Sequence, residues 1–159
     1  MTQSLDIIVI DDDPRQATLL VEAILRLGHN AVPCSEAGPA LDHLKRLGAH
    51  LVITDLRMPR IDGLELLKKL KEIDPELAVL LVTGYATVQT AVEAMRLGAL
   101  DYLEKPVDMS LLRGKLDIVA ERVLLKRENK TLRDQLAGLH STSGILGNDE
   151  RFKAVLVQL

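Results

Sequence analysis

Five times along this chain a short apolar, β-branched run gives way to a stretch whose apolar residues recur at helical spacing, and few folds accommodate that alternation. The strand candidates are Leu5 to Ile10, Asn30 to Cys34, Leu51 to Thr54, Leu77 to Thr83 and Leu100 to Leu103. Pro14 fits the first turn of the first helix, whose apolar positions Leu19, Leu20, Ala23, Ile24 and Leu27 recur until Gly28 stops it. The spacing predicts further helices over Pro39 to Leu47, from Leu64 to Ile73, over Thr87 to Leu97, and from Asp108 onward. Successive βα units give an α/β fold with a doubly wound, five-stranded parallel sheet, flavodoxin-like in its order 2-1-3-4-5, followed by an extended C-terminal helix. Pro33 cannot donate to a sheet ladder, so the second strand belongs at an edge.

Only 2% of the residues are aromatic while 47% are hydrophobic, so the core must be aliphatic, as suits a parallel sheet buried on both faces. Twenty basic residues against 23 acidic ones leave a net charge of −3, too balanced for direct nucleic-acid contact. Cys34 is the single cysteine, so no disulfide forms within the chain, and no signal peptide or membrane span is evident. A cytoplasmic location away from any membrane is therefore expected. His29, His43, His50 and His140 lack ligand spacing and do not suggest a metal site.

The final helix is expected to run to about Leu139, too long to stay on one domain. Leu111, Ile118, Leu125, Leu132 and Leu139 fall every seven residues, with Asn129 and Leu136 at the alternating seam position. Leu112, Leu116, Val119 and Val123 are left to face the sheet. A polar Asn129 in such a seam suits a parallel, two-stranded coiled coil and hence a homodimer; a single amphipathic helix packed along the domain is the plainer alternative. The expected organisation is a domain over residues 1–120, a coiled-coil linker helix over 121–140, and a linker plus the start of another domain over 141–159, with HSTSG from His140 reading as linker.

The carboxyl ends of the strands carry the chemistry. Strand one delivers Asp11 and Asp12, strand three Asp55, strand four Thr83 and strand five Lys105. The strand order brings the three carboxylates together, and their mutual repulsion calls for a hard divalent cation; few, all-oxygen ligands with room for water suit Mg²⁺. A carboxylate beside a metal, a hydroxyl and an ammonium is equipment for phosphoryl transfer to Asp55, with Lys105 pairing the product phosphoryl group and Thr83 donating to one of its oxygens. Each residue has a plainer role alone: helix cap, strand former, solvated charge. Five matched residues at the ends of four strands make the joint coincidence improbable, whereas Asp13 reads as a solvated or capping residue.

These residues resemble a known family, the receiver domains of two-component response regulators. IVIDDDP, ITDLRMPRIDG, LLVTGYA and DYLEKP are similar to its acidic, phosphoacceptor, threonine and lysine motifs, in order, and the resemblance covers Leu5 to about Ala120. It implies that Asp55 accepts phosphate from a phosphohistidine on a sensor histidine kinase. It also implies Mg²⁺ held by Asp12, Asp55 and the Arg57 carbonyl, with Asp11 acting mainly through water. Lys105-Pro106 resembles the family's cis peptide, and Tyr102 its switch aromatic, expected to move inward when Thr83 is drawn to the phosphoryl group. Beyond the domain, LLKRENKTLRDQL and ILGNDERFKAVLVQL resemble the linker and opening helix of nitrogen-regulation (NtrC-type) activators, which carry an AAA+ ATPase and a DNA-binding domain. The resemblance implies the regulatory fragment of a sigma-54-dependent transcription activator, a signalling domain rather than an enzyme.

Other classes are weaker. A Mg²⁺-dependent phosphohydrolase with an aspartyl nucleophile normally has an acid/base carboxylate two residues onward, where this chain has Arg57. A dimerisation module with a vestigial pocket would not need all five polar groups. A flavodoxin-like cofactor binder would need a Gly-rich phosphate cradle, which is missing, and more aromatics to stack a flavin than this chain has.

Overall fold

The computed structural model describes residues 3–143. Among them, strands β1 (Asp6–Ile10), β2 (Asn30–Cys34), β3 (Leu51–Thr54), β4 (Ala78–Thr83) and β5 (Asp101–Glu104) alternate with helices α1 (Pro14–Arg26), α2 (Ala37–Leu47), α3 (Gly63–Ile73), α4 (Val88–Arg96) and α5 (Met109–Ser143). The sheet order is β2-β1-β3-β4-β5 and every pairing is parallel. Every residue of β3 and β4 is buried, which is why those strands read as unbroken apolar runs. Pro33 sits in the edge strand β2, in register with Val9. The chain divides into two compact units, residues 1–120 and Glu121 onward.

Local chemistry sets the helix starts. Asp13 caps α1 by accepting the Arg15 N–H at 3.0 Å, and Pro14, which has no N–H to leave unpaired, takes the first helical position. Asp62 caps α3 in the same way through the Glu65 N–H at 2.9 Å. Thr87 and Thr90 form a reciprocal capping box on α4.

Several boundaries and faces differ from those the sequence predicts. In α1 the buried residues are Ala17, Val21 and Ile24, while Leu19 is 66% exposed and Leu20, Ala23 and Leu27 are half-buried. Positions 17, 21 and 24 share one helical face, and the small Ala17 and Val21 on it let the helix approach the sheet. Helix α2 begins at Ala37 rather than Pro39, because a proline in the first turn lacks only an N–H that no earlier carbonyl would accept. Strand β5 is Asp101–Glu104, one residue later than its apolar run. Helix α5 continues through Ser143, so 140–143 are helical where a linker is expected; Ser and Thr lower helix propensity without breaking it. The segment 144–159, expected to open a further domain, lies outside the described residues, as does the side chain of Leu139.

In α5, Leu112, Leu116 and Val119 are buried and Val123 is half-buried. Leu111, Ile118 and Leu125 are exposed, as is Asn129, with Leu132 and Leu136 half-buried. Among the described residues no helix is long and apolar enough to cross a membrane.

The amino edge of the sheet is closed by two histidines. Nδ1 of the buried His29 accepts the Leu5 N–H at 3.0 Å, and Nδ1 of His50 accepts the Asp6 N–H at 2.8 Å. In each ring it is Nδ1 that serves as the acceptor. Burial holds the His29 imidazolium below its ordinary 6.5, against an opposing pull from Asp117.

Candidate functional site

Register assembles the opposite edge. Ile10 of β1 lies beside Thr54 of β3, so the next residue of each strand leaves the sheet at the same level. These are Asp11, whose N–H donates to the Cys34 carbonyl at 3.1 Å, and Asp55, whose N–H donates to the Ile10 carbonyl at 3.0 Å. One carboxylate oxygen from each of Asp11, Asp12 and Asp55 falls within 4.8 Å of the others. Asp11 is buried and Asp12 exposed.

Lys105 reaches this cluster from the end of β5, where its N–H still pairs with the Thr83 carbonyl at 2.8 Å. Its Nζ donates to Asp11 Oδ2 at 2.8 Å, to Asp55 Oδ2 at 2.9 Å, and to Gln16 Oε1. Burial alone would lower the Lys105 ammonium, but the bonds to Asp11 and Asp55 outweigh it and hold it above its ordinary 10.5. The sequence reading sets Lys105 against a phosphoryl group; here its single charge is shared between two of the three carboxylates. Desolvation first, then the neighbouring Asp11 charge, push Asp12 above its ordinary 3.8.

The Asp55 carboxylate is held from both sides. Asp55 Oδ1 accepts the Leu56 N–H at 2.6 Å and a longer contact from the Arg57 N–H at 3.4 Å, while Oδ2 faces Lys105. Helix α3 starts hard against this turn: a Cβ on Gly63 would stand 2.6 Å from the Asp55 carbonyl oxygen and 2.8 Å from Leu56 Cα. Only glycine permits that approach, so Gly63 is part of the site's scaffold.

The other anticipated residues sit farther back. Thr83 is fully buried at the end of β4, its Oγ1 accepting the Tyr85 N–H at 3.1 Å and keeping its own proton to donate. The open cleft over the acids, about 700 Å³, is lined by the following Gly84 and Tyr85 rather than by Thr83. Tyr102 is half-buried on β5, and its hydroxyl is bonded to Thr90 Oγ1 at 2.8 Å. The Lys105–Pro106 peptide is cis. Arg57 borders the cleft, with its guanidinium 4.2 Å from the centre of the Tyr85 ring.

Three carboxylates with converging oxygens, no nitrogen or sulfur donor, and an open cleft for water match a small hard dication such as Mg²⁺. Lys105 contacts two of the three, so a negative balance is left for the ion to meet.

Sequence reasoning misses three contacts. Gln16 sits on a helix surface where glutamine is ordinarily solvated, and no spacing rule links it to a lysine 89 positions away. The Arg57–Tyr85 stack joins two loops, and the Thr90–Tyr102 bond joins a cap to an edge strand.

Residues 7–117 match the family described as response regulator receiver domain. The transcriptional regulatory protein ZraR of Escherichia coli K12 is 39% identical over 114 residues, which are 72% of this chain and 26% of that protein. The transcriptional regulatory protein FixJ of Azorhizobium caulinodans is 37% identical over 156 residues, 98% of this chain and 72% of that protein. This chain thus spans about a quarter of the length of ZraR. Among solved structures, NtrX from Brucella abortus superposes with a TM-score of 0.73 at 33% identity, covering 82% of this chain and 30% of that one. The beryllofluoride-activated NtrC4 receiver domain dimer gives 0.70 at 26% identity, covering 74% and 97%.

Proposed function

Because this chain belongs to the response regulator receiver domain family, we propose that its carboxyl-edge site accepts a phosphoryl group on Asp55 from a sensor histidine kinase and relays that event to the rest of a longer regulator. The observation that carries the reading is the pairing of Asp55 Oδ2 with Lys105 beside Asp11 and Asp12, under an open cleft. Asp55 Oδ2 attacks phosphorus, the N–P bond of the donor phosphohistidine breaks, and its electron pair stays on the imidazole nitrogen. Lys105, released from a carboxylate that has become an acyl phosphate, turns an N–H toward a phosphoryl oxygen while Asp11 still holds it. Asp12, Asp55 and the Arg57 carbonyl would hold Mg²⁺, with Asp11 acting mainly through water. That ion supplies neutralisation of the transferring oxygens.

Thr83 and Tyr102 are the switch. Thr83 keeps a donatable proton, and drawing it toward the phosphoryl group vacates space beside β5 for Tyr102, whose move inward requires release of its bond to Thr90. Nearly complete switching needs about 5.5 kcal/mol of differential stabilisation, within reach of a few charge-assisted contacts.

The chain acts as a phosphoacceptor rather than a turnover enzyme: the place of an acid/base carboxylate two residues past Asp55 is taken by Arg57, stacked on Tyr85. The seam of Leu111, Ile118, Leu125, Asn129, Leu132 and Leu136 makes a cytoplasmic homodimer. The longer protein is read as a sigma-54-dependent activator in which this domain controls an AAA+ ATPase. A phosphorylated histidine kinase and Mg²⁺ test the reading. Label should pass to the wild-type chain and change its mass or shape by light scattering, while Asp55→Asn should show neither; equal labelling of that variant would contradict it.

A further inference from the structure

We infer that Gln16 is a positioning residue for Lys105, holding the ammonium where it meets the transferring phosphoryl group; this rests on Asp55 being the phosphoacceptor. An ammonium has three N–H bonds, and here each has an acceptor: Asp11 Oδ2, Asp55 Oδ2 and Gln16 Oε1. The acceptors are not equivalent. Two carry charge and lie in the acid cluster; the third is a neutral amide on the first turn of α1, next after Arg15, in a helix whose start is fixed by Asp13 and Pro14.

Phosphorylation changes one acceptor only. When Asp55 Oδ2 becomes the bridging oxygen of an acyl phosphate it loses its charge, and the N–H that faced it must turn to a phosphoryl oxygen. With Asp11 and Gln16 both in place, the nitrogen stays anchored at two points while the third bond changes partner. With Asp11 alone it pivots on one contact. A pivot has somewhere to go, because behind Lys105 lies an apolar cavity of about 520 Å³ bordered by Leu19, Leu20, Ala23 and Met109. The methylene stem of a lysine is at home in such surroundings. Asp11, Gln16, Asp55 and Lys105 all border both this cavity and the acidic cleft, so the ammonium stands at their boundary, and the Gln16 bond is its tie from outside the acid cluster.

The test compares rates of phosphorylation by acetyl phosphate with Mg²⁺. Gln16→Met keeps length, volume and helix propensity but removes the acceptor, and it should slow phosphorylation about three- to ten-fold, the effect of one net hydrogen bond. Gln16→Glu, which keeps an acceptor oxygen, should stay closer to the wild-type rate than Gln16→Met. In a Lys105→Met background the Gln16→Met change should add nothing, since there is no ammonium left to position. A wild-type rate in Gln16→Met, or an undiminished effect when Lys105 is absent, would overturn the assignment. A wild-type chain that takes up no phosphoryl group would overturn instead the reading of Asp55 on which it rests.

Discussion

The two edges of one sheet are built from the same strands and handle polar groups in opposite ways. At the amino edge, two imidazoles each take one backbone N–H at the start of β1. At the carboxyl edge, three carboxylates meet one ammonium, and the edge is open to a cleft. The first arrangement is complete and can only be lost. The second keeps negative charge in excess and one oxygen of Asp55 within reach, so it is completed by what arrives from outside. Sheet geometry alone does not make a site; unbalanced charge at one end of it does.

The comparison breaks most severely if its single cation is removed. Lys105→Met leaves Asp11 and Asp55 facing each other without their counter-charge and should lower the rate of phosphorylation by acetyl phosphate about 10²-fold, as for loss of a preorganised charge-stabilising donor. A rate within a factor of two of wild type would mean that the ammonium is only structural.

Scaffold changes come next. Gly63→Ala forces a Cβ against the Asp55 carbonyl, where backbone must move, and should destabilise the fold by about 1–3 kcal/mol while slowing phosphorylation. Thermal melting and the acetyl phosphate assay read the two effects separately. At the other edge, His29→Ala strands the buried Leu5 N–H and should cost about 1–3 kcal/mol in urea denaturation, yet leave the phosphorylation rate of the folded protein unchanged. That split sharpens the contrast between the edges, and a His29 variant that is stable but slow to phosphorylate would blur it.

The amino edge also carries a pH dependence. Because His29 is held below its ordinary 6.5 in the fold, the unfolded chain binds the proton more readily. The stabilisation is fully present above 6.5 and is lost as pH falls through the lower folded value. Melting curves from pH 7.5 down to pH 5 should therefore decline less steeply in His29→Asn, whose amide oxygen offers an acceptor that does not titrate. The smallest effect on phosphoryl uptake is expected at Thr90→Val, which removes the partner of the Tyr102 hydroxyl together with the Thr90 half of the α4 capping box. It should change stability by about 0.5–1.5 kcal/mol and leave the rate of phosphoryl uptake alone, while shifting the balance between switch positions seen by the Tyr102 ring resonances.

How much of this the sequence discloses follows from the range of the forces involved. The convergence of Asp11, Asp12 and Asp55 is legible because alternation gives a doubly wound parallel sheet, and such a sheet gathers the carboxyl ends of its central strands at one edge. The Lys105 bridge to two of those carboxylates is half legible: its arrival is, its partners are not. Gln16, Tyr85 and Thr90 are illegible, since each acts through a side chain crossing from one loop or helix to another, and nothing periodic records such a crossing. The α1 face shows the same limit from the apolar side. A run of leucines outweighs Ala17 and Val21 in any count of hydrophobicity, but the sheet selects the residues that let the backbones approach.

The most direct measurement is chemical trapping of the phosphoryl group. The chain is incubated with acetyl phosphate and Mg²⁺, reduced with borohydride to mark any acyl phosphate, and its peptides are analysed by mass spectrometry. The account predicts one mark, on Asp55. A mark on Asp11 or Asp12 instead, or none on any aspartate, would contradict it.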